Sequence, residues 1–152
     1  MDTQIIKSFY VIGLAVRTTN ENGQAAKDIP ALWSRFYGEG WTAKISGKKD
    51  ETVYCLYTDY ELDHTKPYTT VLGYKVDTLD DVPDGLTGLK VETATYQKFT
   101  AKGNLMQGAV YNEWLNIWQA PINRSFTTDF EVYDQKSGNP EAAEVDIFIA
   151  VK

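Results

Sequence analysis

The order strand–helix–strand–strand occurs twice in this chain of 152 residues, and that repetition constrains the fold more than any other feature. In the first copy, Phe9 to Thr18 (FYVIGLAVRT) is β-branched and aromatic, and predicts a strand with one interior glycine. Asp28 as N-cap, Pro30 in the first turn, and Ile29, Leu32, Trp33, Phe36 and Tyr37 at helical spacing predict a helix that Gly38 and Gly40 stop. Thr52 to Glu61 and Tyr68 to Val76 read as a strand pair across a polar turn with Pro67. After the connector Asp77 to Gly88, the second copy supplies a strand over Leu89 to Thr100 and a helix over Leu105 to Gln119 closed by Pro121. Arg124 to Asp134 and Ala143 to Val151 form its strand pair. The letters repeat too. Thr58-Asp59-Tyr60-Glu61 matches Thr128-Asp129-Phe130-Glu131, and Leu32-Trp33 with Phe36-Tyr37 parallels Glu113-Trp114 with Ile117-Trp118. The expected fold is therefore α+β: one domain of two βαββ repeats, about 9–76 and 89–151, with antiparallel sheet, two main helices and pseudo-twofold symmetry. Two aromatic helix faces then approach a common seam, a natural place for a pocket.

Composition narrows the function classes. A net charge of −6 with no basic run beyond Lys48-Lys49 argues against direct nucleic-acid binding. The longest apolar runs are far short of the ~20 residues of a membrane helix, and the acidic, polar start carries no signal region, so a cytoplasmic location is expected. A single cysteine, Cys55, leaves no internal disulfide and reads as a buried hydrophobe. His64 reads as a solvated turn residue, and these two residues cannot make a zinc site or a convincing nucleophile pair. The acidic connector fails as a calcium loop, because Val82 and Val91 fall at ligand positions, and no phosphate loop exists. No metal or cofactor is expected. What stands out is 4 Trp, 10 Tyr and 6 Phe in one acidic domain. Rings are first of all core material, but rings combined with acidity also suit an organic cation.

Taken together, FYVIGLAVRT, the hairpin YCLYTDYELD…YTTVLGYKV, GLTGLKVETATYQKFTAKG, the helix YNEWLNIW and the ending TDFEVYD…AEVDIFIAV resemble the GyrI-like small-molecule-binding domain. That domain is also the effector-binding domain of AraC- and MerR-type multidrug regulators and of stand-alone drug-binding proteins from integron cassettes. The resemblance covers nearly the whole chain. It implies two βαββ units, antiparallel sheet, and an aromatic cleft whose buried glutamate receives lipophilic cations.

Glu131 lies mid-strand, sharing a face with Asp129 and Tyr133 by the two-residue alternation. Read from the letters alone, that face is wet and Glu131 an ordinary surface acid; the resemblance places Glu131 at the cation-meeting position. Glu144 matches a second acidic position of some relatives, whereas Glu61, the letter-equivalent of Glu131, lies nearer a turn and reads as solvated. Glu113 beside Trp114 is either a surface carboxylate or a second anionic wall. Trp33, Phe36, Tyr37, Trp114 and Trp118 form stripes that either pack in the core or line the seam. Tyr57 and Tyr54 face opposite sides of their strand, so only one can look inward. The leading expectation is a non-catalytic binder of small amphipathic organic cations. With no helix-turn-helix before the first strand, any control of transcription is expected to pass through a regulatory protein partner. The alternatives are a small hydrolase using Glu131 or Glu113, and a protein-interaction inhibitor of the gyrase-inhibitor type.

Overall fold

The computed structural model describes residues 2–152. Its strands are β1 (Thr3–Ile6), β2 (Phe9–Thr18), β3 (Val53–Thr58), β4 (Tyr68–Val76), β5 (Thr87–Val91), β6 (Ala94–Gly103), β7 (Thr128–Tyr133) and β8 (Ala143–Val151). The helices are α1 (Gln24–Gly38), the single turn α2 (Trp41–Lys44) and α3 (Ala109–Gln119). No described helix is long and apolar enough to cross a membrane.

All eight strands join one antiparallel sheet in the order β1-β6-β8-β7-β3-β4-β2-β5. That order is unchanged when the halves β1–β4 and β5–β8 are exchanged, which is the expected pseudo-twofold symmetry. The axis falls between β3 and β7, where Cys55 and Glu131 are register partners. Each half lends its first strand to the other: β1 pairs with β6, and β5 with β2.

Both helices cover the same sheet face. Leu32 and Phe36 of α1 pack on Ile12, Leu14, Cys55, Leu72 and Tyr74, whereas Ile117 of α3 packs on Ala101, Val145, Ile147 and Ile149. Tyr133 touches both clusters. The opposite face holds a third cluster, including Val11, Leu56, Val71, Tyr96 and Phe130, with no helix over it. These side chains are nonetheless buried, so the sheet curls to enclose them. The close register pair Gly13–Gly73 accompanies that curl. A Cβ on Gly13 would stand 2.2 Å from the Leu72 carbonyl oxygen, and one on Gly73 2.2 Å from that of Ile12.

Several local expectations need correction. α1 begins at Gln24, so Pro30 lies inside the helix and Asp28 is no cap; its carboxylate accepts from Thr18 Oγ1 at 2.8 Å and Gln24 Nε2 at 2.9 Å. The strand expected from Leu89 is two strands, β5 and β6, broken at Glu92-Thr93. β7 starts at Thr128, and Arg124 makes only an isolated bridge to Val151. The repeated four-letter motif does not mark equivalent positions: Thr58 ends β3, Thr128 opens β7, and the two are register partners with hydroxyls 2.9 Å apart. Glu61 therefore lies in a loop and is exposed, whereas the partner of Glu131 across the axis is Cys55.

Candidate ligand-binding site

A cavity of about 520 Å³ opens between α1 and α3, over the β3–β7 seam. The sequence builds its walls by helical spacing. Ala26, Ile29, Pro30 and Trp33 line one side, and Val110, Trp114 and Trp118 the other. Ala25 and Ala26 are small, which leaves room where bulkier residues would close the gap. Pro30 cannot donate to the Ala26 carbonyl, so the α1 hydrogen-bond ladder is interrupted at the cavity wall.

The floor is polar but charge-poor. Glu131, only 2 % exposed, accepts hydrogen bonds from the Trp114 indole at 2.6 Å, the Tyr133 hydroxyl at 2.6 Å and the Tyr57 hydroxyl at 2.8 Å. All three donors are neutral. Burial pushes the Glu131 carboxyl above the ordinary carboxylate range, opposed by the hydrogen bonds from Tyr133, Trp114 and Tyr57. Burial also drives the Tyr57 and Tyr133 hydroxyls well up, followed by repulsion from the groups around them, so they remain donors. The Cys55 thiol, fully buried, is pushed well up by burial and then by the Glu131 charge, the opposite of an activated nucleophile. Among the described residues no group of three or more His, Cys, Asp and Glu could hold a metal.

The rings are held at defined angles. Trp33 meets Tyr133 edge-on at 4.9 Å, and Tyr57 meets Trp114 edge-on at 5.3 Å. Beyond Trp114 the cavity reaches Tyr60, Tyr68, His64, Trp118 and Arg124. Tyr68 donates to Asn20 Oδ1 at 2.6 Å, and Tyr60 donates to Asp129, which also pairs with Arg124 at 2.8 Å. His64 is half-buried rather than free in solvent: its ring stacks on Trp118 at 5.6 Å, and burial, then the Arg124 charge, lower its pKa.

Of the residues singled out from sequence, Glu131, Trp33, Tyr57, Trp114, Trp118 and Tyr133 meet in this cavity. The other four do not line it. Phe36 is turned with Leu32 into the core, against Tyr74. Tyr37 stacks on Trp33 but is 55 % exposed outside the cavity. Glu113 is half-buried on α3 and accepts a long hydrogen bond from Asn116 at 3.4 Å. Glu144 points to the sheet face opposite Val145 and Ile147, 3.5 Å from Lys102. Sequence reasoning missed Tyr60, His64, Tyr68 and Arg124. The first three sit in or beside the 59–67 loop, whose path alternation does not report; Arg124 was merged into a strand.

A family model for integron-associated effector-binding proteins matches residues 5–151. The chain belongs to that family. It is an effector-binding rather than a catalytic family. The chain is 31 % identical over 144 residues to the putative transcriptional regulator protein YobU of Bacillus subtilis (strain 168), covering 92 % of this chain and 90 % of that one. Among solved structures, an integron cassette protein from the mobile metagenome of Vibrio cholerae superposes with a TM-score of 0.71 at 29 % identity, over 99 % of this chain and 95 % of that one. The structure of SAV2435 bound to tetraphenylphosphonium superposes with a TM-score of 0.79 at 21 % identity, covering 99 % and 93 % of the two chains, and so shares the fold. Effector binding is thus the family's function.

Proposed function

We propose that this effector-binding protein receives lipophilic organic cations in the cavity between α1 and α3, with Glu131 as the counter-charge. The observation that carries the reading is a buried carboxylate held only by neutral donors on the floor of an aromatic cavity. Such a group lacks a fixed positive partner, and a cationic ligand supplies one. Trp33, Tyr57, Trp114, Trp118 and Tyr133 offer ring faces and edges, each desolvated cation–π contact being worth about 0.5–2 kcal/mol. Apolar burial adds roughly 25 cal/mol per Å² without demanding one shape, which favours breadth over narrow selectivity. The tetraphenylphosphonium complex of SAV2435, a protein of the same fold, supports this chemistry. The regulator-like name of YobU supports signalling of the bound state to a regulatory protein partner.

A melting-temperature screen tests the reading. N-methylacridinium, a permanent cation, should raise the melting temperature by several degrees at a hundredfold excess over Kd, where binding contributes about 2.7 kcal/mol. Acridine, uncharged at mildly alkaline pH, should raise it much less. Equal shifts for the two ligands would remove the carboxylate from the account.

A further inference from the structure

The cavity has a second end with the opposite chemistry. A neighbouring hollow of about 490 Å³ is lined by Leu62, Ile117, Ile122, Asn123, Ser125, Phe126 and Lys152, and it shares His64, Trp118 and Arg124 with the first. These three shared residues carry buried polar atoms with no partner: Trp118 Nε1, Arg124 Nε and Nη1, and His64 Nδ1. Indole and guanidinium nitrogens can only donate, and a neutral imidazole nitrogen can do so in one tautomer. Buried donors are almost always satisfied, so several orphans meeting at one wall point to an absent acceptor.

Arg124 is not there to neutralise Glu131. It is 8 % exposed, gives Nη2 to Asp129 at 2.8 Å, and has its guanidinium 4.3 Å from the Phe126 ring centroid. Asp129 fixes it from below and also accepts from Tyr60 and from the Ala150 amide. Asp129 and Glu131 are two residues apart on β7, so the guanidinium is anchored roughly 7 Å along the strand from the cation's carboxylate. Phe126 holds this arrangement at φ 55°, a region bulky residues rarely enter, while packing against His64 and Arg124.

We propose that Trp118, Arg124 and His64 form an anion-accepting subsite, and that the preferred ligands are organic cations that also carry a carboxylate. This rests on the cation reading of the first cavity and deepens it. One rhodamine, used as its cationic ethyl ester and as its zwitterionic free acid, tests the proposal by fluorescence titration. An acidic cavity without the subsite favours the ester, whose charge is not cancelled. The subsite instead predicts about tenfold tighter binding of the acid, the effect of roughly one charge-assisted hydrogen bond. Trp118→Phe keeps a ring and removes one donor; Arg124→Lys keeps the charge facing Asp129 and removes the guanidinium nitrogens. In each variant that melts like the parent, the ratio of acid to ester affinity should fall several-fold, whatever change the lost ring contact makes to the two dyes in common. An ester bound as tightly as the acid by the parent protein, or a preference that survives in both variants, overturns the subsite and leaves the cation site standing. Failure of both dyes to bind overturns both.

Discussion

At the scale of single residues, Glu131 is the group whose energetics depend most on what enters the cavity. Its carboxyl is raised by burial, so its folded value lies above its unfolded one. Stability from such a group is fully present below the unfolded value and is lost as pH rises through the folded value. Glu131→Gln removes that loss. The variant should therefore gain stability relative to the parent as pH climbs from the ordinary carboxylate range towards neutrality, and paired melting curves across that range check it. A constant difference would mean that the Glu131 carboxyl has the same pKa folded and unfolded, and that burial does not raise it. Asp28 and Asp146 have lowered values and lose stability in the acid direction, but both variants share them. A bound cation favours the ionised carboxylate, so affinity should fall as the medium is acidified through the raised value. The tryptophans report the same event. Trp33, Trp114 and Trp118 line the cavity, whereas Trp41 sits on α2 with its indole donating to Glu39 at 3.0 Å. A planar cation should quench fluorescence, the quench should shrink in Trp33→Phe, Trp114→Phe or Trp118→Phe, and Trp41→Phe should leave it unchanged. Six of the ten side chains chosen from the sequence line the cavity; Glu144 was chosen on the resemblance alone, and the misses on the helices share a cause. Alternation and helical spacing report which face a residue is on but not which face turns to the cleft, so Phe36 and Tyr37 could not be separated from Trp33.

At the scale of elements, the strands were legible because their apolar, β-branched runs are interrupted by turn residues, and the structure keeps β2, β4 and β8 at their expected bounds. The sequence signals start α1 five residues late because Asp28 and Pro30 imitate a helix start. The true start is set upstream by Gly23 at φ 69° and the turn Glu21–Gly23, signals shared with any loop. The break between β5 and β6 was invisible because Glu92-Thr93 interrupts neither hydrophobicity nor β propensity strongly. The Gly13–Gly73 pair makes the sheet's curl testable. Gly73→Ala places a methyl 2.2 Å from the Ile12 carbonyl oxygen, a backbone atom that cannot swing away. The cost should be about 1–3 kcal/mol, or roughly 2–12 °C in melting temperature for a chain of this size. Gly47→Ala, with open space around its Cβ, is the control and should change little. A Gly73→Ala protein that melts like the parent would mean that β2 and β4 do not approach as described.

At the scale of the whole molecule, duplication explains why a cavity exists at all. Each half buries its own helix on its own strands, and the two helices stand on either side of the axis with a gap between them that neither half fills. The β3–β7 pairing joins the halves into one sheet, so the gap has a continuous floor, and the exchanged strands β1 and β5 extend its two edges. Symmetry also explains why that floor is chemically lopsided. The axis passes between Cys55 and Glu131, and only one of the two halves places a carboxylate there. The sequence repeat revealed the duplication but misaligned it by matching Glu61 to Glu131, because similar letters at strand ends outweighed the unlike pair at the axis. A ligand in the cavity touches α1, α3, β3 and β7 at once, and Glu131 is the sole carboxylate among the cavity-lining residues described. The most direct measurement is therefore the affinity of the parent and of Glu131→Gln for N-methylacridinium and for acridine at mildly alkaline pH. A pair of charges about 4 Å apart at an effective dielectric near 20 is worth about 4 kcal/mol, and half of that corresponds to roughly a 30-fold change. The account predicts a loss of about 30-fold or more for N-methylacridinium and less than about threefold for acridine. Equal losses for both ligands, or none for the cation, would contradict it.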